Sequence, residues 1–145
     1  MLAFQTSSTI ASIPIHPGGA LLNPIVPSAT TLPSFFRYSS SSFALSDIHL
    51  VGSTVYVLNR LVVPPFGGEG DTIALFTLQD GALREKAHIQ LPCYQPREIA
   101  ELGKGRWGIT CVGGDGKGGG LVVIKEGKVE RYWPGVSSWG LVGVM

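Results

Sequence analysis

The chain has 145 residues, of which 44% are hydrophobic and only 14% charged, with a formal net charge of +1. That length suits one ordinary domain, and the near-zero charge argues against long-range attraction to nucleic acid or to an anionic membrane surface. No run approaches the ~20 apolar residues that span a bilayer as a helix, and a charged share below the usual ~25% predicts that part of this surface is covered.

Residues 1–46 carry one charged side chain, Arg37, among many Ser and Thr. An acid-free, Ser-rich start suggests a transit peptide, but Pro14, Pro17, Pro24, Pro27 and Pro33 interrupt any amphipathic helix, and no basic stretch precedes an apolar core. A strand over Leu2 to Ile10, left over from a preceding unit, followed by an irregular segment over 11–43, is the favoured reading. Ala44 to Val51 predicts a strand, Gly52-Ser53 a turn, and Thr54 to Arg60 the returning strand. Val55 and Val57 fall on one face of that strand, with Tyr56 and Leu58 on the other. Both faces are apolar, as in a strand held between packed sheets.

Pro64-Pro65 and Gly67-Gly68 mark a loop over Leu61 to Gly70. Asp71 to Gln79 and Ala82 to Gln90 then form a hairpin across Asp80-Gly81. After a connector over Leu91 to Gln95 the same order recurs. Arg97 to Ala100 is a strand, Gly103-Lys104-Gly105 a turn, and Arg106 to Val112 a strand. A loop over Gly113 to Gly119 leads to Gly120 to Ile124, which pairs with Gly127 to Arg131 through Glu126-Gly127. Ile48 aligns with Ile99, Ile73 with Leu121 and Gly81 with Gly127. Four short strands per unit, repeated at this spacing, mark a radial β-architecture whose units need neighbours to cover both faces.

Ser46-Asp47-Ile48-His49-Leu50, Val55 to Arg60, Asp71 to Phe76 and the Pro96-Arg97-Glu98-Ile99 opening of the second unit resemble the closing blades of the seven-bladed β-propeller lactonases. That family includes the 6-phosphogluconolactonase type and the carboxy-muconate cyclases. The resemblance covers residues 45–131 well. The family's Ser-Pro-Asp-Gly turn is replaced by Leu50-Val51-Gly52-Ser53 and by Leu102-Gly103-Lys104-Gly105. The expected fold is all-β: a partial propeller of two four-stranded antiparallel blades over 44–145, plus a fragment within 1–43. The resemblance implies a small-molecule lactone or sugar acid as ligand, hydrolysis or formation of the lactone ring as activity, no cofactor and a cytoplasmic setting. The alternative is a catalytically inactive truncated propeller that acts as an interaction module and self-associates through exposed blade edges.

Antiparallel pairing places the end of a second strand beside the start of an innermost one. Arg60 and Arg97 are therefore expected on one rim, where two guanidinium forks suit a carboxylate or phosphate; the competing expectation pairs each with a local carboxylate such as Glu98, Glu69 or Asp71. Asp47 and His49 share a face, so His49 is a candidate base toward water with Asp47 orienting it, and Arg60 or Arg97 a candidate cation for the oxyanion. The candidate catalytic set is thus His49, Arg60 and Arg97, with Asp47 and Glu98 as substrate-binding residues and no metal. His16 and His88 read as structural. Gly114, Gly116 and Gly119 satisfy G-x-G-x-x-G, but a strand follows where a dinucleotide site needs a helix. Trp107, Trp133 and Trp139 read as packing between blades. The only cysteines, Cys93 and Cys111, show no metal-ligand spacing and do not make a disulfide framework. Cys111 is expected as a buried thiol in a reducing compartment.

Overall fold

A computed structural model describes residues 2–4, 9–11, 17–18, 29–32, 42–62, 71–113 and 118–136. Among the described residues, eleven strands form three antiparallel sheets. The small one contains β1 (Leu2–Phe4), β2 (Thr9–Ala11) and β3 (Ala29–Thr30), in the order β1-β2-β3. The first four-stranded sheet is β4 (Phe43–Val51), β5 (Thr54–Leu61), β6 (Thr72–Gln79) and β7 (Ala82–Gln90), ordered as in the chain. The second repeats this plan with β8 (Pro96–Gly103), β9 (Arg106–Cys111), β10 (Gly120–Lys125) and β11 (Lys128–Pro134). This is an all-β, partial propeller-like fold. Among the described residues no helix is long and apolar enough to cross a membrane.

The aligned pairs coincide in three dimensions. Ile48 lies opposite Val57 and Ile99 opposite Ile109; Val57 then faces Ala74, and Ile109 faces Val122. Even the irregularities repeat. The innermost strand of each sheet is bulged, with Ser46 the extra residue in β4 and Arg97 in β8, and the outermost strands are bulged at Lys86 and Glu130. A bulge inserts one residue and re-aims its side chain, so the repeat fixes where Arg97 emerges. The hairpin turns follow from left-handed backbone at both central residues: φ is 49° and 77° at Asp80-Gly81, and 51° and 77° at Glu126-Gly127. That geometry matches the twist of the flanking strands.

Both faces of β5 are buried, as the alternation predicts. Val55 and Val57 pack with Leu45, Ala74, Phe76 and Leu83 against Ile10 of the small sheet. Leu58, Ile73, Leu75 and Ile89 pack the other way, against Ile99, Trp107, Ile109, Val122 and Ile124 of the second sheet. Each large aliphatic in this layer contributes about 1.5–3 kcal/mol by leaving water. One polar cluster is also buried: Asn59 donates to the Thr31 carbonyl at 2.6 Å and to Thr72 Oγ1 at 3.2 Å, and accepts from Thr31 Oγ1 at 2.7 Å. These bonds tie the end of the small sheet to the first blade. His88, expected to be structural, joins them with Nε2 3.1 Å from the Thr31 carbonyl.

Three expectations need correction. Leu2 to Ile10 is not one strand: β1 and β2 pair with each other, Phe4 opposite Thr9. No Gly or Pro in the sequence between them signals two strands rather than one. Ala29–Thr30 is a strand within the segment expected to be irregular, paired with Thr9 and Ile10; its signal is a partner, not a local pattern. Finally, Cys111 is not a free thiol. Cys93 and Cys111 form a disulfide across a Cα separation of 6.0 Å. The connector before β8 folds back over the end of β9, where Val112 N donates to the Gln95 carbonyl at 3.2 Å and Gly113 N to the Tyr94 carbonyl at 2.9 Å. Sequence spacing carries no sign of this return.

Candidate functional site

Arg60 is the penultimate residue of β5, opposite Ala44 near the start of the innermost strand. The backbone beside it is held by Asp71, whose Oδ1 accepts from Leu61 N at 3.1 Å. The Asp71 carbonyl in turn accepts from Leu91 N at 3.0 Å and from Gln90 Nε2 at 3.2 Å. Asp71 is 1% exposed. Burial pushes its carboxyl up to about 6, although the Leu61 and Gln95 amides and the Arg60 charge all pull the other way. Its Oδ2 completes no hydrogen bond among the described residues, and neither does the buried Nε of Arg60.

The guanidinium of Arg60 is held below its ordinary pKa, first by burial and then by the positive charge of Arg97, with Asp71 opposing. Arg97 is the extra residue of the bulge in β8, and its charge is among those that lower the Arg60 pKa. Arg60 is half-buried and Arg97 exposed, and one buried acid compensates their charge in part. Such a pair favours an added anion, because each guanidinium gains in a charge-assisted contact what the pair loses by repulsion.

The other candidates lie elsewhere. Asp47 spends both oxygens on the backbone: Oδ1 accepts from Ile48 N at 2.8 Å and Oδ2 from Ile99 N at 3.0 Å. The second bond staples β4 to β8. His49 lies opposite Tyr56 and meets the Trp107 ring edge-on, centroids 5.3 Å apart, while Tyr56 stacks on the same indole at 4.4 Å. Tyr56 is four residues from Arg60 along β5, roughly 13 Å at ~3.3 Å per residue. His49 therefore belongs to the packed opposite end of the cleft, away from the arginines. Glu98 occupies the place in β8 that Asp47 holds in β4, directly after the bulge.

Asp71 is the site residue that sequence reasoning undervalued. It stands out in the chain only as the first residue after a Pro/Gly-rich loop, and its role depends on burial. Loop residues 63–70 and 114–117, the G-x-G-x-x-G glycines 114 and 116, and Glu69, His16 and Trp139 lie outside the described residues. A surface depression of about 380 Å³ lies on the outer side of the second sheet, lined in part by Leu102, Arg106, Glu130 and Trp133. Its charges are already satisfied: Arg106 donates to both Glu130 oxygens at 2.8 and 3.1 Å, and Arg131 lies 5.3 Å from the Trp133 ring.

No protein-family model matches this sequence, and no curated protein matches it. A solved structure does: a protein from Lactobacillus plantarum determined by structural genomics, with a TM-score of 0.66 at 22% identity. The match covers 93% of this chain and 37% of that one, so the chain spans little more than a third of the similar protein. At this identity the likeness establishes the fold.

Proposed function

We propose that this chain carries the anion-holding side of a lactonase-type site. Arg60 and Arg97 grip the carboxylate or phosphate of a sugar-acid lactone such as 6-phosphogluconolactone, or its opened acid, and Asp71 positions Arg60. The observation that supports this reading is the electrostatic coupling of Arg60 to Arg97 beside the buried acid Asp71. The similarity of sequence to the closing blades of propeller lactonases supports the substrate class. Arg60 or Arg97 is the cation available to a developing oxyanion; His49, the expected water activator, lies at the other end of β5 beside Trp107, and this reading assigns that role to no residue.

A second reading is favoured by Asp47 and His49 being spent on packing: the chain binds the sugar acid without turnover, as an interaction module. The edge strands β7 and β11 then offer pairing surfaces for a second copy. The Cys93–Cys111 link weighs against the expected cytoplasmic setting, which keeps thiols reduced.

Calorimetry with 6-phosphogluconate, run beside a pH-stat assay of lactone opening, tests these readings. The lactonase reading expects turnover above the spontaneous rate, reduced at least tenfold by Arg60→Ala. Binding that Arg60→Ala weakens, with no turnover, selects the second reading. Absence of both binding and turnover overturns the proposal.

A further inference from the structure

At the turn end of the cleft between the two large sheets, opposite the arginine rim, lies a notch of about 300 Å³. Val51, Tyr56, Trp107 and Ile124 form its walls, and Glu101, Gly105, Glu126 and Gly127 its edge. Trp107 is only 5% exposed, stacked by Tyr56 and met edge-on by His49, so it backs the half-buried Tyr56 ring, which presents the aromatic surface of the notch. The Glu101 charge reaches the Tyr56 hydroxyl and helps to hold it above its ordinary pKa, behind the larger effect of burial. Neither Glu101 nor Glu126 takes part in a salt bridge among the described residues. The nearest lysine in sequence, Lys125, acts on Glu130 and so stands on the outer side of the sheet. No lysine or arginine lines the notch.

We propose that this notch binds a small organic cation bearing a quaternary ammonium head. An aromatic face attracts a cation through its quadrupole, by about 0.5–2 kcal/mol depending on desolvation, and two unpaired carboxylates at the rim add Coulomb attraction. The apolar walls select a methylated, weakly hydrated head over a metal ion. Consistent with that choice, the described residues contain no group of three or more His, Cys, Asp or Glu able to hold a metal. The site is separate from the arginine rim and does not depend on the lactonase reading.

The test is a titration of the full chain with choline chloride, followed by NMR of the indole and tyrosine ring signals. Trp133→Phe and Trp139→Phe variants assign the Trp107 resonance. The neutral isostere 3,3-dimethyl-1-butanol and potassium chloride at matched ionic strength serve as controls. Choline is expected to shift Trp107 and Tyr56 saturably in the millimolar range, at least about threefold more tightly than the isostere, in line with the cation–π range. The exposed-residue variant Glu101→Gln/Glu126→Gln, which leaves the core untouched, is expected to erase that difference. Equal affinity for choline and the isostere overturns the proposal, as do shifts confined to Trp133, absence of saturation to about 50 mM, or indifference to the double Gln variant.

Discussion

Replacing Asp71 by Asn probes the centre of the arginine rim. Asp71 is 1% exposed, and its carboxyl is raised from 3.8 to about 6. The folded state therefore holds its proton more tightly than the unfolded chain does. Stability from this group is fully present below pH ~4 and is lost as pH rises through about 6, because the unfolded chain sheds the proton first. At ~1.4 kcal/mol per unit, the loss amounts to about 3 kcal/mol by neutral pH. Asn retains an oxygen to accept from Leu61 N but carries no charge to desolvate. Asp71→Asn is thus expected to gain about 1–3 kcal/mol at pH 7.5, and nothing at pH 4. Urea unfolding followed by tryptophan fluorescence at half-unit pH steps from 4 to 8 reads both quantities. Adding Arg60→Met to the wild type should extend the decline to higher pH and enlarge the total loss, since it removes a charge that lowers the Asp71 pKa. A variant less stable than wild type at pH 7.5, with the slope between pH 4 and 6 unchanged, would refute the reasoning.

Asp47→Ala leaves the Ile99 amide at the blade junction without its acceptor. It should cost about 1–3 kcal/mol and speed Ile99 amide exchange in hydrogen-exchange NMR, with the Arg60 resonances unmoved. Reduction of Cys93–Cys111, which closes a loop of 18 residues, should lower stability by about 2–4 kcal/mol in paired urea melts with and without dithiothreitol. Gly118 has φ +72°, and a Cβ there would run into the Tyr94 ring, whereas Gly81, at φ +77°, faces open space. Gly118→Ala should therefore lower the melting temperature well beyond Gly81→Ala, which meets only the ~1–2 kcal/mol cost of left-handed backbone.

The two large sheets were legible because their information is local. Alternation in Val55-Tyr56-Val57-Leu58 states that both faces are covered, and Asp80-Gly81 and Glu126-Gly127 state where the chain reverses. The alignment of Ile48 with Ile99 follows from a repeat that preserves even its bulges. The small sheet was only partly legible, since two- and three-residue strands hold too few side chains for a period to register. The disulfide was not legible at all.

For the site, the polarity of antiparallel pairing was enough to set Arg60 near the end of β5 beside the start of β4, and Arg97 at the start of β8. The sequence determined, by strand order and alternation, which end of each strand every charged residue occupies. Only the tertiary structure decided what each does there, because proximity across sheets and removal from water depend on how the blades stack. That stacking turned Asp47 into a staple and set His49 against Trp107. It also buried Asp71 deeply enough to make a loop-end carboxylate the titrating group of the rim.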